Sequence, residues 1–172
     1  MTGSMRWILR HVLAVVVLPF TVAVVIPVWL ARRNDIRLAA ASGLPELGMQ
    51  AVGLALLLVG LLLFVASLGR FVGEGRGTLA PWDPPRRLVV RGPYRHVRNP
   101  MISGVALVLF GESLLLRSPA HLLWAVTFFG VNALYIPLLE EPLLERRFGA
   151  DYREYCRNVP RLLPRLRAPR SP

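Results

Sequence analysis

Three stretches of the sequence carry no charged side chain and are long enough to cross a lipid bilayer. They are residues 12–30, 47–69 and 118–139, which contain 19, 23 and 22 residues. A helix needs roughly 20 apolar residues to cross a hydrocarbon core of about 30 Å. Hydrocarbon admits only helices and closed barrels, and the sequence lacks the alternation of barrel strands. The stretches therefore predict an all-α fold.

A fourth apolar stretch, residues 101–116, is shorter and contains Glu112. At ~1.5 Å per residue it reaches only about 24 Å, which is short for a full crossing. We predict that it forms a hairpin with the stretch that follows, with Arg117, Ser118 and Pro119 in the turn. The predicted fold is then a multi-pass membrane helical bundle of about four transmembrane helices with a C-terminal cytoplasmic helix.

The first apolar stretch has an alternative interpretation as a signal peptide, because Arg6 and Arg10 precede it. The stretch is too long for a signal, and residues 27–33 lack a small-residue cleavage site. Trp7 and Trp29 bracket it in the manner of interfacial anchors. These features favour a retained membrane span.

The distribution of arginine predicts the orientation of the four spans. The chain carries a net charge of +11 although 54% of its residues are hydrophobic, and it contains no lysine. Four spans would place 17 arginines with the two termini and the second loop, and 4 on the opposite side. The positive-inside rule places the arginine-rich side in the cytoplasm, and we expect the membrane to be the cell inner membrane. Such loops attract membrane lipids, and no nucleic-acid motif accompanies them, so we expect no nucleic-acid partner.

The metal-binding residue types are few and scattered. Cys156 is the only cysteine, which excludes an internal disulfide and a cysteine zinc cluster. His11, His96 and His121 do not have the spacing of a shared metal site. We therefore expect no metal cofactor.

The loop before the third span ends in signals for a turn and a helix start. Gly92 and Pro93 mark a turn, whereas Asn99 followed by Pro100 is typical of a helix N-terminus. Amide groups at such a helix end suit an anionic ligand. The alternative is that Asn99 and Pro100 only cap the helix.

Two adjacent carboxylates, Glu140 and Glu141, follow the last apolar stretch. Carboxylates at a membrane boundary are costly unless they are solvated or partnered. One possibility is that both carboxylates face water. The other is that one of them binds a cation, either the ammonium of a ligand or an arginine such as Arg98. Further on, a short helix is predicted over residues 151–158, with Asp151 as its N-cap.

These segments together resemble the signature of the isoprenylcysteine carboxyl methyltransferase and phospholipid methyltransferase superfamily. That signature contains Gly-x-Tyr and Arg-His-Pro-x-Tyr-x-Gly, and Glu-Glu-x-x-Leu follows after one helical hairpin. This chain has Gly-Pro-Tyr at 92–94, Arg-Asn-Pro-Met-Ile-Ser-Gly at 98–104 and Glu-Glu-Pro-Leu-Leu at 140–144. The family ending is matched by Phe-Gly at 148–149, by Tyr152 and Tyr155, and by Val-Pro at 159–160. The resemblance covers about residues 88–164.

The resemblance implies an integral membrane S-adenosylmethionine-dependent methyltransferase that acts on a lipophilic or membrane-associated acceptor. The cofactor-binding residues it implies are Leu88, Val89, Tyr94, Asn99, Pro100, Met101, Ile102 and Glu140. Glu140 would pair with the cofactor ammonium, the helix start at Pro100 would face its carboxylate, and Tyr94 would lie against adenine or the sulfonium. Methyl transfer requires mainly positioning, so no catalytic side chain is assigned.

We treat the chain as a single membrane domain over residues 1–172, which the apolar stretches divide into parts. The parts are two N-terminal spans (1–70), a cytoplasmic loop (71–100), a helical hairpin (101–139) and a cytoplasmic C-terminal segment that completes the cofactor site (140–172).

Three residues depart from the family pattern. Asn99 replaces the family histidine and Ile102 the family tyrosine, whereas Ile136 replaces an arginine that binds the substrate carboxylate in prenylcysteine enzymes. A neutral or amine acceptor is therefore favoured over prenylcysteine. Asn99 and Ile102 also leave open a catalytically silent relative that serves as a membrane scaffold or binding protein. A transporter is disfavoured, because the spans lack paired charges.

Overall fold

The computed structural model describes residues 16–75 and 87–164, and every regular element in these ranges is helical. The predictions for Arg6, Trp7 and Arg10 lie outside the described residues, as do those for loop residues 76–86 and for residues 165–172. The elements in chain order are a π-helical segment Val16–Val25, α1 (Ile26–Arg33), α2 (Leu44–Arg70), a π-helical turn Phe71–Gly75, a 3-10 turn Gly92–Arg95, α3 (Pro100–Leu115), α4 (Pro119–Tyr135), a π-helical segment Ile136–Glu140, α5 (Glu141–Phe148) and α6 (Ala150–Asn158). The predicted all-α class is confirmed for the described part of the chain.

Two continuous helical stretches are long and apolar enough to cross a membrane. They are Leu44–Glu74, with 31 residues, and Pro119–Phe148, with 30 residues. Only 17% and 11% of their most apolar windows are buried inside the protein. A core helix of a soluble protein would be mostly buried, so the outward apolar faces indicate a surrounding of lipid. Helix α3 is apolar but shorter, as the sequence predicts.

The centre of the bundle is the close contact between α2 and α3, which meet along glycines spaced seven residues apart. A Cβ atom built on Gly60 would lie 2.6 Å from the carbonyl oxygen of Gly104. A Cβ atom on Gly111 would lie 2.6 Å from the carbonyl oxygen of Gly53. Small residues allow this backbone approach, which is a common way to pack helices in membranes. The contact holds the start of α3 beside the end of α2.

The turn between α3 and α4 forms where the sequence predicts it. Arg117 adopts a positive φ of 50°, and Ser118 caps α4 by accepting a hydrogen bond from the amide of His121. The buried His121 ring contacts Ser118 Oγ at 2.8 Å and the carbonyl oxygen of Pro27 at 3.1 Å. Trp124 Nε1 donates to the carbonyl oxygen of Val22 at 3.1 Å. His121 thus joins α1 to α4 as a structural residue.

The predicted cap of the C-terminal helix is wrong by two positions. Helix α6 begins at Ala150, and its N-cap is Gly149 rather than Asp151. Gly149 has a φ of 58°, a left-handed conformation that glycine adopts without the steric cost of a side chain. This residue ends α5 and starts α6 directly, so Asp151 lies inside the first turn.

Candidate functional site

Tyr94 is the centre of the candidate site, and the 3-10 turn Gly92–Arg95 positions it. Gly92 enters this turn with a φ of 58°, which glycine tolerates. The ring of Tyr94 is buried against Phe71, from the π-helical turn that follows α2, and Val89 from the loop. Met101, in the first turn of α3, packs against the same cluster.

The hydroxyl group of Tyr94 is buried and forms no hydrogen bond with any described residue. Burial raises the pKa of Tyr94 above its ordinary value, and the nearby Tyr155 and Glu140 raise it further. Tyr94 is therefore neutral at physiological pH, and its hydroxyl lies within electrostatic reach of Glu140. Tyr155 donates from its hydroxyl to the backbone oxygen of Tyr94 at 2.7 Å, which ties α6 to the turn.

The two adjacent carboxylates have different surroundings. Glu141 Oε1 accepts hydrogen bonds from Arg98 Nη1 at 2.6 Å and from Arg161 Nε at 2.8 Å. Glu141 Oε2 accepts from Arg161 Nη2 at 2.7 Å. Glu140 is the last residue of the π-helical segment and directly precedes Glu141. It forms no ion pair within the described ranges. Of the alternatives that the sequence left open for this pair, the structure shows an arginine partner, Arg98, for Glu141.

The start of α3 is covered by residues 160–162, which we call the C-terminal strap. The amides of Arg98 and Asn99 donate to the carbonyl oxygens of Pro160 and Arg161 at 2.8 and 3.2 Å. The side chain of Asn99 also donates to the Arg161 carbonyl, at 3.4 Å. Asn99 is the N-cap residue of α3 and Pro100 its first residue, as predicted, but the Asn99 side chain forms no capping hydrogen bond.

Pro100 is fully buried beneath this region. The first helical hydrogen bond of α3 runs from the amide of Ser103 to the carbonyl oxygen of Asn99, at 3.0 Å. The amides of Met101 and Ile102 precede it and have no intrahelical acceptor. The start of α3 thus offers two amide groups close to the Tyr94 cluster.

The structure brings three of the eight predicted cofactor residues, Val89, Tyr94 and Met101, into one cluster, and Glu140 is close enough for its charge to raise the pKa of Tyr94. Asn99 and Pro100 lie next to this group at the start of α3, and Ile102 is half-buried in the first turn. Leu88 lies apart from them, in an open groove of about 430 Å³. The other lining residues of that groove are Gly73, Glu74, Arg87, Val90 and Arg91. The cofactor-binding role of all eight residues stays a prediction.

Two residues of the site were not predicted from the sequence. Arg161 binds Glu141 from 20 positions further along the chain, and Cys156 Sγ accepts a hydrogen bond from Arg98 Nη1 at 2.9 Å. Arg161 lies in an arginine-rich tail, so nothing in its spacing distinguishes it. In the part of the chain that the structure describes, no three histidine, cysteine or acidic side chains gather around a common point.

Outward apolar helices and a polar site at one end of the bundle define a helical membrane protein. The profile of the phospholipid methyltransferase family matches residues 49–151, which is more than half of the chain. The chain belongs to the phospholipid methyltransferase family, within the superfamily of integral membrane methyltransferases that its motifs resemble. The match runs from α2 into α6 and includes Tyr94 and Glu140. Comparison with curated protein sequences and with solved structures gave no significant match.

Proposed function

We propose that the protein is an S-adenosylmethionine-dependent methyltransferase of the membrane that acts on a lipophilic acceptor. The observation that carries this proposal is the difference between two neighbouring carboxylates. Glu141 is satisfied by two arginines, whereas Glu140 has no ion pair among the described residues and is close enough for its charge to raise the pKa of Tyr94, whose buried hydroxyl has no hydrogen-bond partner. A carboxylate and an orphaned hydroxyl at one place suit a cationic ligand that also has polar groups.

The residues present fit the cofactor that the family implies. Glu140 would hold the ammonium of its amino-acid part, and the amides of Met101 and Ile102 would hold the carboxylate at the start of α3. Val89 and the ring of Tyr94 would form an apolar wall that excludes water. S-adenosylmethionine, when bound, supplies an electrophilic methyl group, so the protein has mainly to position the acceptor in line with it.

Binding of the cofactor separates this proposal from a catalytically silent relative, which Asn99 and Ile102 favour. We expect the purified protein in detergent micelles to bind S-adenosylmethionine in isothermal titration calorimetry. The same preparation should transfer a radiolabelled methyl group to a component of a membrane lipid extract. Binding without transfer would favour a silent relative that keeps the cofactor site, and absence of binding would reject the proposal.

The acceptor group that fits best is neutral or an amine. Ile136 lies at the position that an arginine occupies in the prenylcysteine enzymes that this chain resembles. Its side chain is fully buried, with 0% exposure. An apolar, enclosed side chain gives an acceptor carboxylate no partner, and burying an unpaired charge is costly. The apolar outer faces of the helices favour entry of the acceptor from the lipid side.

This acceptor preference predicts the outcome of a competition among substrates. Membrane lipid extract, prenylcysteine and water-soluble amines should be offered separately with a radiolabelled methyl donor, and only the lipid extract should be labelled. A base-labile methyl ester on prenylcysteine would contradict the interpretation of Ile136. Labelling of water-soluble amines alone would contradict lateral entry.

We further propose that the chain has four spans in a cell inner membrane, with both termini in the cytoplasm. The support is the excess of arginine on that side, 17 against 4. The single-domain organisation with a cytoplasmic C-terminal segment follows from the same topology. Reporter domains inserted at Pro84 and fused to the C-terminus should both report the cytoplasm. Opposite signals at the two positions would contradict the four-span topology.

A further inference from the structure

The C-terminal strap is attached to the start of α3 through the backbone of three consecutive residues. Their carbonyl oxygens all accept hydrogen bonds from the segment that begins α3. The bonds are Arg98 N to Pro160 O at 2.8 Å, Asn99 N to Arg161 O at 3.2 Å and Ser103 Oγ to Leu162 O at 2.7 Å. An irregular segment held in this way has a defined place in the fold, although it lies after the last helix.

The side chain of Arg161 fixes the strap to a second place. Its guanidinium group binds both oxygens of Glu141, at 2.8 and 2.7 Å, and Arg98 shares one of these oxygens at 2.6 Å. The side chains of Arg98 and Glu141 are only 12% and 15% exposed, whereas that of Arg161 is 39% exposed. Bidentate pairs of arginine and carboxylate are among the strong hydrogen-bonded contacts, and partial burial reduces their screening by salt.

This three-residue cluster joins the segments that carry the candidate site. Glu141 directly follows Glu140, and Arg98 directly precedes Asn99 at the start of α3. Arg161 lies ten positions beyond the end of the family match, at residue 151. The pair formed by Tyr155 and the Tyr94 backbone, at 2.7 Å, is the second tie between the C-terminal segment and the site.

We propose that Arg161 is a positioning residue, which holds the C-terminal strap on the start of α3 and fixes Glu140 relative to Tyr94. This inference rests on the proposed function, because the site it organises is the cofactor site. Arg161 acts through Glu141, and it is not among the predicted cofactor-binding residues. Loss of the bidentate pair therefore releases the strap and weakens cofactor binding without removing any cofactor-binding group.

The test compares Arg161→Ala with Arg157→Ala, which removes the same charge from an exposed position in the last turn of α6. We expect Arg161→Ala to raise the Kd for S-adenosylmethionine by about tenfold or more, since charge-assisted bonds contribute on that scale. Its cofactor dissociation rate should rise in parallel. Arg157→Ala should change neither quantity more than about twofold.

Amide hydrogen exchange supplies a readout of the strap itself. In Arg161→Ala the amides of Arg98 and Asn99, which donate to the strap, should exchange faster than in the unmodified protein. Arg161→Lys keeps the charge but not the bidentate geometry, so it should restore only part of the affinity. In a background of Glu141→Gln, Arg161→Ala should have a smaller effect, because its partner is already altered.

The outcomes distinguish this inference from the proposed function. If the unmodified protein does not bind S-adenosylmethionine, the proposed function fails and the positioning role fails with it. If the unmodified protein binds and Arg161→Ala binds equally well, only the positioning role is overturned. Faster exchange at Arg98 and Asn99 with unchanged affinity would likewise overturn it, because the strap would then be released without consequence for the site.

Discussion

Replacement of Gly60 by alanine is expected to destabilise the protein by about 1–3 kcal/mol, and replacement by leucine should prevent accumulation of folded protein. The added Cβ atom would lie 2.6 Å from the carbonyl oxygen of Gly104 and 2.8 Å from the amide nitrogen of Val108. Both neighbours are backbone atoms of α3, which a side-chain rotation cannot move away. The helices would have to separate along their whole contact.

The measurement is thermal unfolding in detergent micelles, followed through the intrinsic fluorescence of the 4 tryptophans. Gly69→Ala is the matched control, because it lies in the same helix and a Cβ atom there would meet nothing within 4 Å. The control should be neutral or slightly stabilised, since alanine favours a helix over glycine by roughly 1 kcal/mol. Equal losses of stability in Gly60→Ala and Gly69→Ala would contradict the close packing of α2 on α3.

The helices themselves were predictable because exclusion of charge from hydrocarbon leaves a clear mark on the sequence. The uncharged stretch 47–69 corresponds to the helix Leu44–Arg70, and the stretch 101–116 corresponds to the helix Pro100–Leu115. The pairing of these helices was not predicted. Glycines seven positions apart are visible in both stretches, yet their spacing alone does not tell which helix each stretch contacts. Only the two backbones in contact make that pairing evident.

The candidate site was predictable where its residues form local motifs. Tyr94 follows a Gly-Pro turn, and Glu140 and Glu141 end an apolar stretch, so their place along the chain follows from the sequence. Which carboxylate binds arginine was left open, because it depends on the direction in which each side chain leaves the helix. Consecutive residues lie about 100° apart around a helix, and this rotation directs Glu141 to Arg98 while Glu140 lies near Tyr94.

Arg161 shows what sequence reasoning lacks in a charge-rich tail. Several other arginines lie near it in the chain, and nothing in the sequence distinguishes it from them. Its partner Glu141 is 20 positions away. Its contact with Glu141 depends on the path of the C-terminal strap, which returns to the start of α3. The N-cap of α6 was also predicted wrongly, at Asp151. The helix break depends on the positive φ of Gly149, which the sequence alone does not reveal.

The second large effect is expected for Glu140→Gln, which removes one charge and keeps the size of the side chain. If Glu140 holds the cofactor ammonium, the loss of a charge-assisted hydrogen bond of about 1.5–3 kcal/mol should raise the Kd for S-adenosylmethionine by roughly ten- to a hundredfold. Methyl transfer at low cofactor concentration should fall by a similar factor. The strap should stay attached, because Glu141 and Arg161 are unchanged.

Glu154→Gln is the control for charge, since Glu154 is exposed on α6 and its side chain forms no ion pair within the described residues. Calorimetry on both variants in the same detergent should show weakened binding for Glu140→Gln alone. The exchange rates of the Arg98 and Asn99 amides should be those of the unmodified protein, which separates loss of a ligand contact from loss of the strap. If Glu140→Gln binds S-adenosylmethionine as tightly as Glu154→Gln, Glu140 does not hold the ammonium. In that case its unpaired position near Tyr94 requires another explanation.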